Sequence, residues 1–143
     1  MKIKLFNAQK SLPINKLKVR TLIKLVLTDL GSFHQEFILY FVSKNKICAL
    51  HNEFFQDPSP TDCISFPHDD KLLGEVFVCP QTAIDYASLK HLDVYDELAL
   101  YIIHGILHCL GMDDIAPTDR KAMRKMEKHC MALMKEHEIT LRP

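Results

Sequence analysis

The sequence predicts an α+β (mixed α/β) fold: a small sheet of about four strands flanked by helices, with a buried central helix. Three observations carry that expectation. Strand-like segments cluster early in the chain and the helical periodicities late. The stretch "VYDELALYIIHGILHCL" is apolar almost all round, as a helix enclosed by other elements must be. Only 4 glycines occur among 143 residues, with no repeat, low-complexity tract or Gly/Ser linker, so a single domain over residues 1–143 is expected.

Taken in order, "KIKLFNA" alternates as a strand should. "INKLKVRTLIKLVLTDLGS" sets Leu17, Leu22, Val26 and Leu30 at helical spacing, with Asn15 as N-cap and Gly31 as the stop. "EFILYFVS" is rich in β-branched and aromatic residues and reads as a buried strand. "KNKICALHNEFFQ" is helical and ends before "DPSPTD", whose two prolines force a loop. "CISFP" and "GEVFVCP" are two short strands at hairpin-like spacing around "HDDKLL". "QTAIDYASLKHL" is a helix, followed by the buried helix; Gly111 ends the latter and "MDDIAP" loops out. "TDRKAMRKMEKHCMALMKEHE" is a last amphipathic helix with Thr118 as its N-cap.

Apolar residues at 48% and charged residues at 25% are ordinary for a water-soluble protein. No apolar run approaches the ~18 residues of a membrane span, and "MKIKLFNAQK" has no signal-peptide core, so a cytoplasmic protein without membrane contact is expected. The 5 cysteines (Cys48, Cys63, Cys79, Cys109, Cys130) are odd in number and never paired as C-x-x-C, which points to buried thiols in a reducing compartment. Cys109 adjoins His108 but is turned ~100° away from it on a helix. Net charge is zero, yet nine Lys/Arg between Lys2 and Lys46 face only Asp29 and Glu36, while the middle of the chain is acidic. A basic stretch can steer a polyanion and an acidic one can hold a cation; a solvated helix face explains the pattern equally well.

The informative stretch is "HGILHCLGMDD". On a helix His104 and His108 lie four apart, on one face, where both imidazoles can reach one ion. Gly111 can take the left-handed conformation that turns the chain back, bringing a carboxylate of "MDD" to the same ion. Spacing favours Asp114 as the third ligand; Asp113 competes, or orients the site. Two imidazoles and a carboxylate form an accepted zinc set with an open position, and also suit Fe(II) or Ni(II). The bland reading, two helix histidines packed in a polar corner, loses ground because of the glycine turn and the carboxylate. The spacing varies the H-E-x-x-H-x-x-G-x-x-H arrangement of metzincin proteases. Gly105, however, occupies the place of their general base, which disfavours peptide hydrolysis and leaves activation of water or polarisation of a phosphoryl oxygen.

Together, "PTDCISFP", "LGEVFV" and "HGILHCLGMDD" resemble three blocks of the YbeY endoribonuclease (rRNA maturation factor) family, in the same order. That family's pattern runs close to P-T-D-V-L-S-F-P, L-G-D-I and H-G-x-L-H-L-x-G-Y-D-H. The resemblance implies a zinc-dependent, single-strand-specific RNase with one Zn²⁺ per chain, held here by His104, His108 and Asp114. It implies action in 16S rRNA 3′-end maturation and ribosome quality control, with single-stranded rRNA and the small ribosomal subunit as partners.

Three positions depart from the pattern. The family's third histidine falls on Asp114, its L-G-D-I aspartate on Glu75, and an arginine considered catalytic falls near Phe55. Asp114 keeps ligation but adds negative charge, which makes bound water less acidic and repels phosphate. Phe55 removes a cation that would pair with phosphate. His51, one helical turn earlier, is the candidate substitute and thus the candidate catalytic residue, with His68 a weaker one. The competing class is a non-catalytic, metal-containing RNA-binding assembly factor.

Overall fold

The computed structural model describes every residue from Met1 to Pro143. The chain runs β1 (Lys2–Ala8), α1 (Lys16–Asp29), β2 (Glu36–Val42), α2 (Lys44–Phe55), β3 (Cys63–Pro67), β4 (Leu72–Val78), α3 (Pro80–Lys90), α4 (Val94–Cys109) and α5 (Pro117–Glu136). The α+β fold expected from the sequence is the one found. The four strands form one sheet in the order β1-β2-β4-β3, with β1 and β4 parallel to β2, and β3 antiparallel to β4. The β3–β4 hairpin is the one foreseen, with Ile64 opposite Phe77 and Ser65 opposite Val76.

Side-chain alternation along β2 sets the layers. Phe37, Leu39 and Phe41 join the large core shared with α1, α4 and α5. Tyr40 and Val42 turn to the other face, where Ile47 and Leu50 of α2 cover a smaller cluster with Ile64 and Cys79. Burial on both faces explains why β2 reads as a continuous apolar run. The same alternation on β3 sends Ile64 and Phe66 towards α2, leaving Cys63 and Ser65 on the α4 side.

Helix α4 is buried along nearly its whole length, from Tyr95 to Cys109. Asp93 caps its start by accepting from the backbone N–H groups of Tyr95 and Asp96. Its end is a Schellman turn: Met112 N–H reaches Leu107 O at 3.0 Å, Gly111 N–H reaches His108 O at 3.0 Å, and Gly111 has φ +96°. A side chain at 111 would be strained in that conformation.

Local expectations needed three corrections. Leu17 is 71% exposed, because the buried stripe of α1 runs through Val19, Leu22, Ile23, Val26 and Leu27. Helix α5 starts at Pro117 with Ala116 as N-cap, so Thr118 is inside the helix. Proline at the first helical position has its φ pre-set and lacks the N–H that a cap would satisfy. The cysteines are all free, but only Cys79, Cys109 and Cys130 are buried; Cys48 and Cys63 are partly so. No helix is long and apolar enough to cross a membrane.

Candidate metal centre

The last turns of α4 and the loop behind them bring three donors together. His104 and His108 stand one helical turn apart, with Nε2 facing Nε2 at 3.0 Å. The Gly111 turn folds the chain back, so Asp114 Oδ2 lies 3.5 Å from His104 Nε2 and Asp114 Oδ1 lies 3.7 Å from His108 Nε2. One ligand atom from each of the three residues falls within 4.8 Å of the others. Asp113 does something else: its carboxylate accepts from the N–H of Asp114 at 2.7 Å and of Ile115 at 3.3 Å, fixing the loop. Arg120 holds the same loop from α5, donating to the carbonyls of Asp114 and Ile115.

Behind His104 sits a carboxylate that sequence reasoning missed. Glu127 of α5 is only 4% exposed and accepts from His104 Nδ1 at 2.8 Å. Arg124 Nη1 donates to both of its oxygens, at 2.5 and 2.8 Å. A carboxylate can only accept here, so Nδ1 carries its hydrogen and the neutral ring directs the Nε2 lone pair at His108 and Asp114. Burial works to raise the Glu127 pKa, but hydrogen bonds from His104 and Arg124, with their charges, hold it below the usual carboxylate value. Burial works to lower the His104 pKa; the bond to Glu127 and the charges of Asp62, Glu127 and Asp114 nevertheless raise it. The sequence did contain a signal. Glu127 shares the buried stripe of α5 with Met123, Cys130 and Met134, and an acid on an apolar stripe needs a buried partner.

This donor set fits a divalent cation. Nitrogen and carboxylate lone pairs converge, the carboxylate supplies compensating charge, and the imidazole nearest the core has its tautomer set by Glu127. The centre opens on a cleft of about 370 Å³ lined by His51, Thr61, Cys63, Ser65, His104 and His108 among others. His51 thus lines the same cleft as the histidine pair; its Nδ1 donates to Ser59 O at 2.8 Å, and its Nε2 lies 4.0 Å from Asp57 Oδ2. Phe55 lines the same cleft, and no lysine or arginine does. His68 lies elsewhere, paired with Glu75 at 2.9 Å in a groove beside Phe66 and Phe77. Nor does the basic stretch gather at the centre. Lys2 and Lys4 lie on β1, at the sheet edge opposite β3, and Lys44 pairs with Asp85 at 2.7 Å.

Gly105 has a packing role. Its carbonyl accepts from Ser65 Oγ at 3.2 Å, and a Cβ there would lie 2.5 Å from Val76 Cγ1. The glycine lets α4 press onto β3 and β4, and a glutamate in its place would have no room.

Comparison with known proteins agrees with this architecture. The solution structure of TM1509 from Thermotoga maritima superposes with a TM-score of 0.67 at 24% identity, covering 95% of this chain and 91% of that one. An "Endoribonuclease YbeY" of Protochlamydia amoebophila is 40% identical over 142 residues, covering 95% of both chains. Another of that name, from Chlamydia pneumoniae, is 32% identical over 151 residues, covering 99% of this chain and 96% of its own length. The family model described as "Endoribonuclease YbeY" matches residues 4–135, a span that takes in the sheet, α4 and the His104–His108–Asp114 cluster. With the fold, the motif order and near-full-length identity all in accord, the chain belongs to the endoribonuclease YbeY family.

Proposed function

We propose that residues 1–143 form one metal-dependent endoribonuclease domain that cleaves single-stranded RNA. We assign it to 16S rRNA 3′-end maturation and late ribosome quality control in the cytoplasm, with the small ribosomal subunit as partner. The observation that carries this reading is the convergence of His104, His108 and Asp114 at an open cleft, with Glu127 fixing His104 from behind. Family membership supports RNA as the substrate.

His104, His108 and Asp114 would hold one Zn²⁺, which when bound supplies Lewis acidity and lowers the pKa of water. The protein's own groups do the rest. Glu127 keeps His104 in the tautomer that ligates, and Arg124 holds Glu127 ionised. Asp113 and Arg120 hold the loop that presents Asp114. His51 reaches the cleft with Nδ1 donating to Ser59 O, so Nε2 would donate to a phosphate oxygen only in the imidazolium form, which carries hydrogen on both nitrogens. No lysine or arginine lines this cleft, which supports His51 as the group assigned to phosphate recognition there.

The test is cleavage of a single-stranded rRNA fragment by zinc-loaded protein, beside the same fragment annealed to its complement. Cleavage of the single strand alone, abolished by a chelator, is expected. His51→Ala should lower it about a hundredfold with zinc content unchanged; equal cleavage would remove His51 from the mechanism. One observation favours a second reading. Phe55, in place of a cation, lines the cleft, which is the expectation for a metal-containing assembly factor that binds RNA without cutting it. Binding without cleavage would select that reading.

A further inference from the structure

A second convergence of donors at His104 lies outside the set used above. Asp62, Cys63 and His104 each present one ligand atom, and these too lie within 4.8 Å of one another. Neighbours on a regular strand point to opposite faces, so an adjacent Asp and Cys would not ordinarily converge. Here Asp62 precedes β3, and its Oδ1 folds back to accept from the Cys63 N–H at 2.7 Å and from Thr61 Oγ1 at 3.2 Å. The segment is pinned by Thr82 of α3, whose Oγ1 donates to Thr61 O, and by Cys79 just before that helix, whose N–H donates to Asp62 O. The result is a preformed oxygen and sulfur pair beside the imidazole, and Cys63 also lines the cleft with His104 and His108.

His104 Nδ1 is committed to Glu127, so only Nε2 serves either set, and one ring nitrogen binds one ion. We propose that Asp62 and Cys63 form a second ligand arm of this centre, through which a borderline or soft cation seated on His104 is bound by the Cys63 thiolate. On binding, the S–H bond breaks, a sulfur–metal bond forms and the proton leaves to solvent. The arm changes the character of the site. Two imidazoles and a carboxylate leave a position open for water, whereas the set that exchanges His108 and Asp114 for Asp62 and the Cys63 thiolate favours softer ions. The inference rests on a metal being held at His104 and does not require that RNA be cut.

Co²⁺ is the probe, because a thiolate ligand adds a near-ultraviolet charge-transfer band to the visible bands that report binding itself. Metal-stripped full-length protein is titrated as wild type, Cys63→Val, Cys63→Ser, His108→Ala and His104→Ala, each checked for folding by circular dichroism. Wild type should show both absorptions. Both Cys63 variants should keep the visible bands and lose the charge-transfer band, so either suffices if the other misfolds. His108→Ala should retain the charge-transfer band through Asp62, Cys63 and His104, and His104→Ala should lose everything. Visible bands without charge transfer in wild type overturn the inference and leave the histidine–aspartate site standing. A charge-transfer band that survives in the Cys63 variants overturns it too, and wild type that binds no Co²⁺ refutes both.

Discussion

Replacing Gly105 by alanine tests whether close helix–sheet approach is what this position provides. The new Cβ would sit 2.5 Å from Val76 Cγ1 and 3.2 Å from Cγ2, with Ser65 Oγ at 3.3 Å. Val76 is fully buried and its branched side chain cannot swing aside, so helix or strand must move. Overpacking of this kind costs about 1–3 kcal/mol, and a contact this short belongs in the upper half of that range. Alanine returns about 1 kcal/mol of helix propensity, which leaves a net loss of about 1–2 kcal/mol. With a urea slope of roughly 2 kcal/mol per M, the unfolding midpoint should fall by about 0.5–1 M. Val76→Ala removes both crowding methyl groups, so the double variant should lose less than the sum of the two single losses. A Gly105→Ala midpoint equal to or above wild type would refute the packing account, because only the propensity gain would then remain.

The Glu127–His104 pair gives two further expectations. Glu127→Gln keeps the shape but weakens orientation of His104, so zinc affinity measured by chelator competition should fall about 10–100-fold; unchanged affinity would reduce Glu127 to a packing group. In metal-free protein the same pair shapes stability against pH. Glu127, held below its ordinary 4.5, contributes stability present above that value and lost as pH falls through its folded pKa. His104, held above its ordinary 6.5, contributes stability present below 6.5 and lost as pH rises through its folded pKa. The pair's contribution is therefore complete between about pH 4.5 and 6.5. Urea midpoints taken across pH should show that maximum in wild type and a flatter profile in Glu127→Gln; superimposable profiles would contradict it.

What could be read from the sequence was whatever local patterning determines. The apolar wrap of α4, the H-x3-H spacing and the glycine turn are all contained in one short segment, and they located His104, His108 and Asp114 together. Sheet order was beyond reach, since which strands pair is decided by contacts far apart in sequence, as between Ile3 and Phe37. Glu127 was missed because it comes from another helix, twenty-three residues after His104. The Asp62–Cys63 arm was missed because strand alternation argues against it, and only the bend before β3 brings the two side chains together. Gly105 was read as a lost base; its neighbours Val76 and Ser65 explain the glycine by space.

The central claim is that His104, His108 and Asp114 hold a metal at which RNA is cut. Wild type and His108→Ala, prepared identically and loaded with zinc, should be compared for bound metal and for cleavage of a single-stranded rRNA fragment. The account predicts about one zinc per chain and cleavage for wild type, with cleavage lost in His108→Ala. Equal cleavage by the two proteins, or zinc bound by wild type with no cleavage at all, would contradict it.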